Sequence, residues 1–274
     1  MKKKIFLFCL IALLFTGCSS NSSKVYDEIE SSGYGVGWGG NPDGIVCNEI
    51  KDALYVDNNF FISNNGKVYK LNMTKLFSNE KNCIIIDSVS NARFAYGQFI
   101  YDENYNIVAK YSWKEKDILT DMEKIKADGQ LYVDSNGNEH IENALIHLEF
   151  DFDFDFISSN DCTDDETLYI KDNKIYAYKH SKTLYLGEIP SEEDIIYMNG
   201  TLIKTNKNFY QLVKTNEEEC NKYVDVKCTY GFVKSDLSKI YNKIIYASQD
   251  YVIDDNYRVY GNGRCFGIDI GDME

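Results

Sequence analysis

The feature that most limits what this chain can become is a short unit that recurs along it, seen most plainly at Tyr251-Val252-Ile253-Asp254-Asp255-Asn256-Tyr257-Arg258-Val259-Tyr260. It reads as two strands around a tight turn, with Asn256 where the backbone needs a left-handed or otherwise demanding conformation. The pattern apolar-x-x-Asn-x-x-apolar-Tyr returns at Ile62, Asn65, Val68, Tyr69 and at Ile203, Asn206, Phe209, Tyr210, with looser copies around Asn104, Asn136 and Asn173. Successive Asn positions lie 39, 32, 37, 33 and 50 residues apart, the size of a four-stranded propeller blade. A further apolar run, Leu54-Tyr55-Val56, Ile195-Ile196-Tyr197 or Ile245-Tyr246-Ala247, begins 11 residues before its Asn, so each unit holds at least three strands. The expected fold is all-β, a six- or seven-bladed β-propeller over residues 31–274 with one short inserted helix.

That helix is expected between blades. Ser112-Trp113-Lys114-Glu115 has the form of a capping box, Ile118, Met122 and Ile125 share one helical face, and Asp128-Gly129 supplies a stop. A second interruption is Leu148-Glu149-Phe150-Asp151-Phe152-Asp153-Phe154-Asp155-Phe156, whose strict alternation puts apolar side chains on one strand face and carboxylates on the other. The carboxylates read as a solvated face. A calcium site needs several oxygens converging on one ion, so only the following loop, Asp161, Asp164, Asp165 and Glu166, is a weak metal candidate, and no cofactor is expected otherwise. The Gly33–Gly44 stretch is Gly-rich, but Pro42-Asp43-Gly44 is a turn and no helix signal follows, which excludes a phosphate-binding loop.

The ends give an address. Lys2, Lys3 and Lys4 precede an apolar run over 5–15 too short to span a bilayer, and Phe15-Thr16-Gly17-Cys18 follows. This resembles the lipobox of bacterial lipoproteins, which implies a signal peptide over 1–17, lipidation of Cys18 and extracytoplasmic attachment to a membrane. Residues 18–30 are mostly polar and read as the lipidated cysteine plus a flexible tether. Losing the three lysines takes the formal charge from −14 to −17, a surface that repels phosphate and excludes nucleic acid as a partner. Beyond the leader, Cys47, Cys83, Cys162, Cys220, Cys228 and Cys265 remain, with no C-x-x-C pair. Cys220 with Cys228 is the most plausible local bridge, with unpaired thiols as the alternative.

The units ending in Asn-Gly-x-Val-Tyr, together with Val36-Gly37-Trp38-Gly39-Gly40-Asn41-Pro42-Asp43-Gly44 and Val259-Tyr260-Gly261-Asn262-Gly263, are similar to repeats of the regulator of chromosome condensation family. The resemblance implies a seven-bladed propeller and a protein-binding platform; no residues here match those that would carry nucleotide exchange. No nucleophile stands at an interpretable spacing from a base. The expected function is therefore binding of a protein or glycan by a lipid-anchored propeller. The alternatives are a glycan hydrolase using two carboxylates of the acidic region and a structural envelope lipoprotein.

Overall fold

The computed structural model describes residues 20–34, 50–57, 59–71, 83–129, 131–133, 137, 139–141, 154–159, 167–179, 182–216 and 228–261. Its strands form a five-bladed propeller of antiparallel meanders. Blade 1 is β1 (Ala53–Val56), β2 (Phe60–Ser63), β3 (Val68–Leu71) and β4 (Cys83–Ile86); blade 2 is β5 (Phe94–Tyr96), β6 (Phe99–Tyr101), β7 (Ile107–Ser112) and β8 (Asp117–Leu119). A separate hairpin, β9 (Leu131–Val133) with β10 (Glu139–Ile141), follows. Blade 3 is β11 (Phe156–Ser159), β12 (Thr167–Lys171), β13 (Lys174–Lys179) and β14 (Lys182–Glu188). Blade 4 is β15 (Ile195–Asn199), β16 (Leu202–Thr205), β17 (Phe209–Lys214) and β18 (Tyr230–Lys234), and blade 5 is β19 (Ile244–Ala247), β20 (Tyr251–Asp254) and β21 (Val259–Gly261).

Five blades replace the six or seven expected. The unit around Asn136 was counted as a blade, yet among the described residues it supplies only the β9–β10 hairpin, which pairs with no other sheet. Asn65, Asn104, Asn173, Asn206 and Asn256 all lie in the connection between the second and third strands of their blades, as the repeat requires. The positive φ falls elsewhere than expected in three of these turns, on Gly66 (78°), Tyr105 (62°) and Tyr257 (61°), and only Asn173 (61°) carries it itself. What holds the turn is the residue that closes the second strand. Asp102 Oδ1 accepts from the Asn104 and Asn106 amides, each at 2.9 Å, and Asp254 Oδ1 accepts from the Asn256 and Arg258 amides at the same distances. Ser63 and Thr205 play the same part with their hydroxyls.

The second strands are buried on both faces, fully so in Phe60-Phe61-Ile62-Ser63 and with one half-buried residue each in β12, β16 and β20, because a neighbouring blade covers each face. The apolar core is accordingly spread through the wedges between blades: Phe60, Ile62, Ile100 and Ala109 pack blade 1 on blade 2, and Leu168, Ile170, Ile203 and Leu212 pack blade 3 on blade 4.

The helices also differ from expectation. Ser112 does accept from the Glu115 amide, at 3.2 Å, but that bond closes a strand-to-strand turn with Lys116 at φ 52°. A capping box and a turn share this local bond, and here the strand pairing of β7 with β8 decides between them. The helix α2 is shorter, Met122–Asp128, and its cap is Asp121, which accepts from the Glu123 amide at 2.9 Å. Where a flexible tether was expected, Ser20–Ser31 forms helix α1. Its Ile29 is fully buried and its Glu28 meets Lys239 at 3.0 Å, on the 3-10 helix Asp236–Lys243 that links blades 4 and 5.

Blades are sewn together by polar groups at the inner strands. The Tyr197 hydroxyl donates to the Ala247 carbonyl (2.8 Å) and accepts from the Ala247 amide (3.1 Å), joining blade 4 to blade 5. The Tyr246 hydroxyl accepts from the Val56 amide (3.0 Å) and from Asn199 Nδ2 (2.6 Å), joining blade 5 to blades 1 and 4. Burial pushes both phenols up, so they remain protonated donors. Blades 3 and 4 are joined by the Ser158 hydroxyl, which accepts from the Gly200 amide at 2.6 Å. Gly200 sits at φ 55° with Gln249 so close that an added Cβ would lie 2.4 Å from the Gln249 Cβ, so no other residue fits there.

Two stability predictions follow from these bonds. Tyr246→Phe leaves the buried Val56 amide unpaired and should cost about 1–3 kcal/mol in urea unfolding with an unchanged m-value. Glu193 is the second. Burial raises its carboxyl, but bonds from Thr205 Oγ1 (2.5 Å), Asn208 Nδ2 (2.6 Å) and the Tyr210 hydroxyl (3.0 Å) outweigh this and hold its pKa below the usual 4.5. A carboxyl depressed in the folded state contributes stability above its unfolded pKa and loses it as pH falls through the folded value. Glu193→Gln should therefore flatten the acid limb of the stability profile below about pH 5. An acid limb unchanged in the variant would contradict the assignment.

Candidate functional site

The inner strands carry one column of aromatic residues at one register. Tyr55 pairs with Ile62, Phe94 with Tyr101, Phe156 with Ile170, Tyr197 with Lys204 and Tyr246 with Ile253. In blades 1, 4 and 5 it follows a register shift in its strand; in blades 2 and 3 it opens the strand, and the preceding amide bonds the carbonyl of the residue opposite the aromatic, Arg93 to Tyr101 at 2.7 Å and Asp155 to Ile170 at 2.8 Å. The blades can therefore be compared position by position.

Two neighbouring positions separate blades 2 and 3 from the others. Before the aromatic stand Leu54, Ile196 and Ile245 in blades 1, 4 and 5, but Arg93 in blade 2 and Asp155 in blade 3. At the aromatic itself stand Tyr55, Tyr197 and Tyr246, but Phe94 and Phe156. All four departures line one cavity of about 190 Å³ at the mouth of the central channel. Leu54 and Tyr55 close it from blade 1, Ile196 and Tyr197 from blade 4, and Glu103 and Tyr105 from the β6–β7 turn of blade 2.

The cavity combines flat apolar surfaces with charge. The Arg93 guanidinium lies 5.7 Å from the Phe156 ring centroid, and Arg93 is exposed. Asp155 is exposed, and its Oδ2 accepts from the Asp172 amide at 2.9 Å, which fixes the carboxylate against the β12–β13 turn. Tyr105, held at positive φ, donates its hydroxyl to the Phe154 carbonyl at 2.5 Å and meets Phe154 edge-on, so one wall is rigid. Aromatic faces beside guanidinium and carboxylate groups suit a ligand with both C–H faces and many hydroxyls, or a protein side chain of mixed polarity. Other charged clusters are satisfied internally: Glu193 has its three donors, and Lys110 pairs with Asp128 at 3.1 Å.

Of the acidic residues singled out from sequence, Asp155 reaches this cavity, with Phe156 of the same alternating segment and Leu54, Tyr55, Ile196 and Tyr197 of the upstream apolar runs. Residues 148–153 of the alternating segment, Asp151 and Asp153 included, lie outside the described residues, as do Cys18, Cys220 and the weak metal candidates Asp161, Asp164, Asp165 and Glu166. Among the described residues no group of three or more His, Cys, Asp or Glu side chains is placed to hold a metal. Cys83 and Cys228 are each disulfide-bonded. Arg93, Phe94 and Glu103 have no motif in the sequence to mark them. Aligning the units on their first strands instead of on Asn exposes them, because the β16–β17 turn of blade 4, closed from Thr205 to Asn208, is one residue shorter than the blade 5 turn from Asp254 to Arg258, and the Asn-based alignment shifts its first strand by one place.

No family model matches the chain, and no curated protein or solved structure matches it either.

If the departures at Arg93 and Asp155 serve a ligand and not the fold, reverting one should be harmless to stability. Arg93→Leu, which installs the blade 1 residue, should change the unfolding free energy by no more than about 0.5 kcal/mol. A loss of 2 kcal/mol or more in denaturant unfolding would make Arg93 a structural residue.

Proposed function

We propose that this protein is a lipid-anchored, extracytoplasmic binding module that takes a glycan or protein at the mouth of its central channel. The carrying observation is the coincidence, in one cavity, of the four residues by which blades 2 and 3 depart from the other blades at two adjacent inner-strand positions. A repeat breaks its own rule where something other than packing is being served. Two bonded cysteines and a formal charge of −14 support an oxidising location and a surface that stands off anionic lipid. Attachment through Cys18 would place the lipid only two residues before helix α1, a span of at most about 7 Å, so the domain would be held close to its membrane. No helix among the described residues is long and apolar enough to cross a membrane.

Hydrolysis of a glycan is the second reading, favoured by Glu103 and Asp155 lining the same cavity. One experiment addresses both. The mature protein is incubated with immobilised cell-wall polysaccharides, and both retention and release of reducing ends are measured. Retention without release, weakened about tenfold or more by Arg93→Ala, is expected of a binding module. Release that disappears in Asp155→Asn would make the protein an enzyme, and neither retention nor release would leave a protein ligand. For the anchor, Cys18→Ala should move the protein from the membrane to the soluble fraction; a variant that still sediments with membranes contradicts lipidation.

A further inference from the structure

We infer that Phe94 and Phe156 leave a strip of inner-strand backbone open in the cavity, and that this strip reads the hydroxyls of a single sugar ring. The inference rests on the glycan-binding reading above and names what the cavity takes.

Each inner strand is paired on one side only. In blade 5 the residue after the aromatic, Ala247, lies opposite Val252 and turns both its N–H and its carbonyl away from β20, where the Tyr197 hydroxyl meets them at 3.1 and 2.8 Å. In blade 1 the equivalent Val56 lies opposite Phe61, and its N–H meets the Tyr246 hydroxyl at 3.0 Å. The same register puts Ile157 opposite Tyr169 in blade 3 and Met198 opposite Ile203 in blade 4, so their N–H and carbonyl groups also turn toward the channel. The residues that precede them around the ring are Phe94 and Phe156, which have no hydroxyl to offer. Ile157 and Met198 both line the cavity.

Backbone donors and acceptors at a cavity wall must be met by water or by ligand. A donor and an acceptor side by side match the vicinal hydroxyls of a sugar, each of which gives one bond and takes another. The Phe94 and Phe156 rings offer the flat apolar surfaces that C–H groups of a pyranose ring stack on. Arg93 and Asp155 at the rim then fix orientation, as a donor-only and an acceptor-only group. Size limits the guest: about 190 Å³ is below the roughly 300–1,000 Å³ of pockets that enclose drug-sized ligands, so one ring enters and the remainder of a glycan stays outside. Installing the missing hydroxyls should close the strip in the way Tyr197 closes it at Ala247.

The test uses the mature protein, uniformly labelled with nitrogen-15, and N-acetylglucosamine, glucose and galactose as probes. At least one sugar should saturably shift the Ile157 and Met198 amides. Phe156→Tyr should weaken that sugar about tenfold or more, and should raise the melting temperature by about 2–4 °C through the new bond to Met198. Phe156→Leu leaves the backbone open and removes the ring, so it should weaken binding with no thermal gain. Saturation by a sugar that leaves the Ile157 and Met198 amides unmoved overturns the inference while sparing the glycan reading, and so does Phe156→Tyr binding as tightly as the parent with no rise in melting temperature. Absence of any shift with all three sugars, in a parent protein that also fails to retain polysaccharide, overturns both.

Discussion

A propeller is closed by what happens at the innermost edge of each sheet. That strand has a sheet neighbour on one side and the channel on the other, so half of its backbone polar groups need partners that the sheet cannot give. At blades 5 and 1 the partner is the hydroxyl of a tyrosine on the preceding blade. Tyr197 meets both polar groups of Ala247, and Tyr246 meets Val56 while also binding Asn199. The ring geometry depends on those contacts, because the apolar wedges between blades are slippery in register and the hydroxyls are not.

The candidate site grows out of the same constraint. Three blades have tyrosine at this inner-strand register, of which Tyr197 and Tyr246 sew blade to blade, and two have phenylalanine. Beside those two phenylalanines stand Arg93 and Asp155, where the remaining blades have Leu54, Ile196 and Ile245. Removing a stitch opens a cavity, leaves backbone groups for a guest and brings charge to its rim, with little cost to the wedges, whose residues lie one place along and face the neighbouring blades. Ser158, itself on the cavity wall, compensates between blades 3 and 4 by accepting from Gly200. On the proposed reading, stability and binding are thus divided around one ring: a sewn arc from blade 4 through blade 5 to blade 1, and an open arc through blades 2 and 3.

The repeat was legible in the sequence because its strong units share a strand, a turn and a following Tyr at fixed offsets, and five of the six marked asparagines occupy equivalent turns. Blade number was not, since the Asn136 unit looks like its relatives locally and differs in that, among the described residues, its hairpin joins no larger sheet. The helix misread at Ser112 has the same origin: its bond to the Glu115 amide is local and belongs equally to a turn, and only the long-range pairing of β7 with β8 distinguishes them. The polar stretch after Cys18 reads as a tether by composition, while its helix is paid for by the docking of Ile29 on distant residues. Asp155 was noticed for its charge, and its place beside Arg93 and the two phenylalanines appears only once blades are aligned on inner-strand register.

Amide hydrogen exchange along the inner strands tests the central claim most directly. In the absence of ligand, the Val56 and Ala247 amides, each held by a tyrosine hydroxyl, should exchange only through opening events close to global unfolding. The amides of Ile157 and Met198, at the same register but facing the cavity, should exchange faster by about two orders of magnitude or more. Equal protection at all four positions would contradict the division of the ring into a sewn arc and an open one.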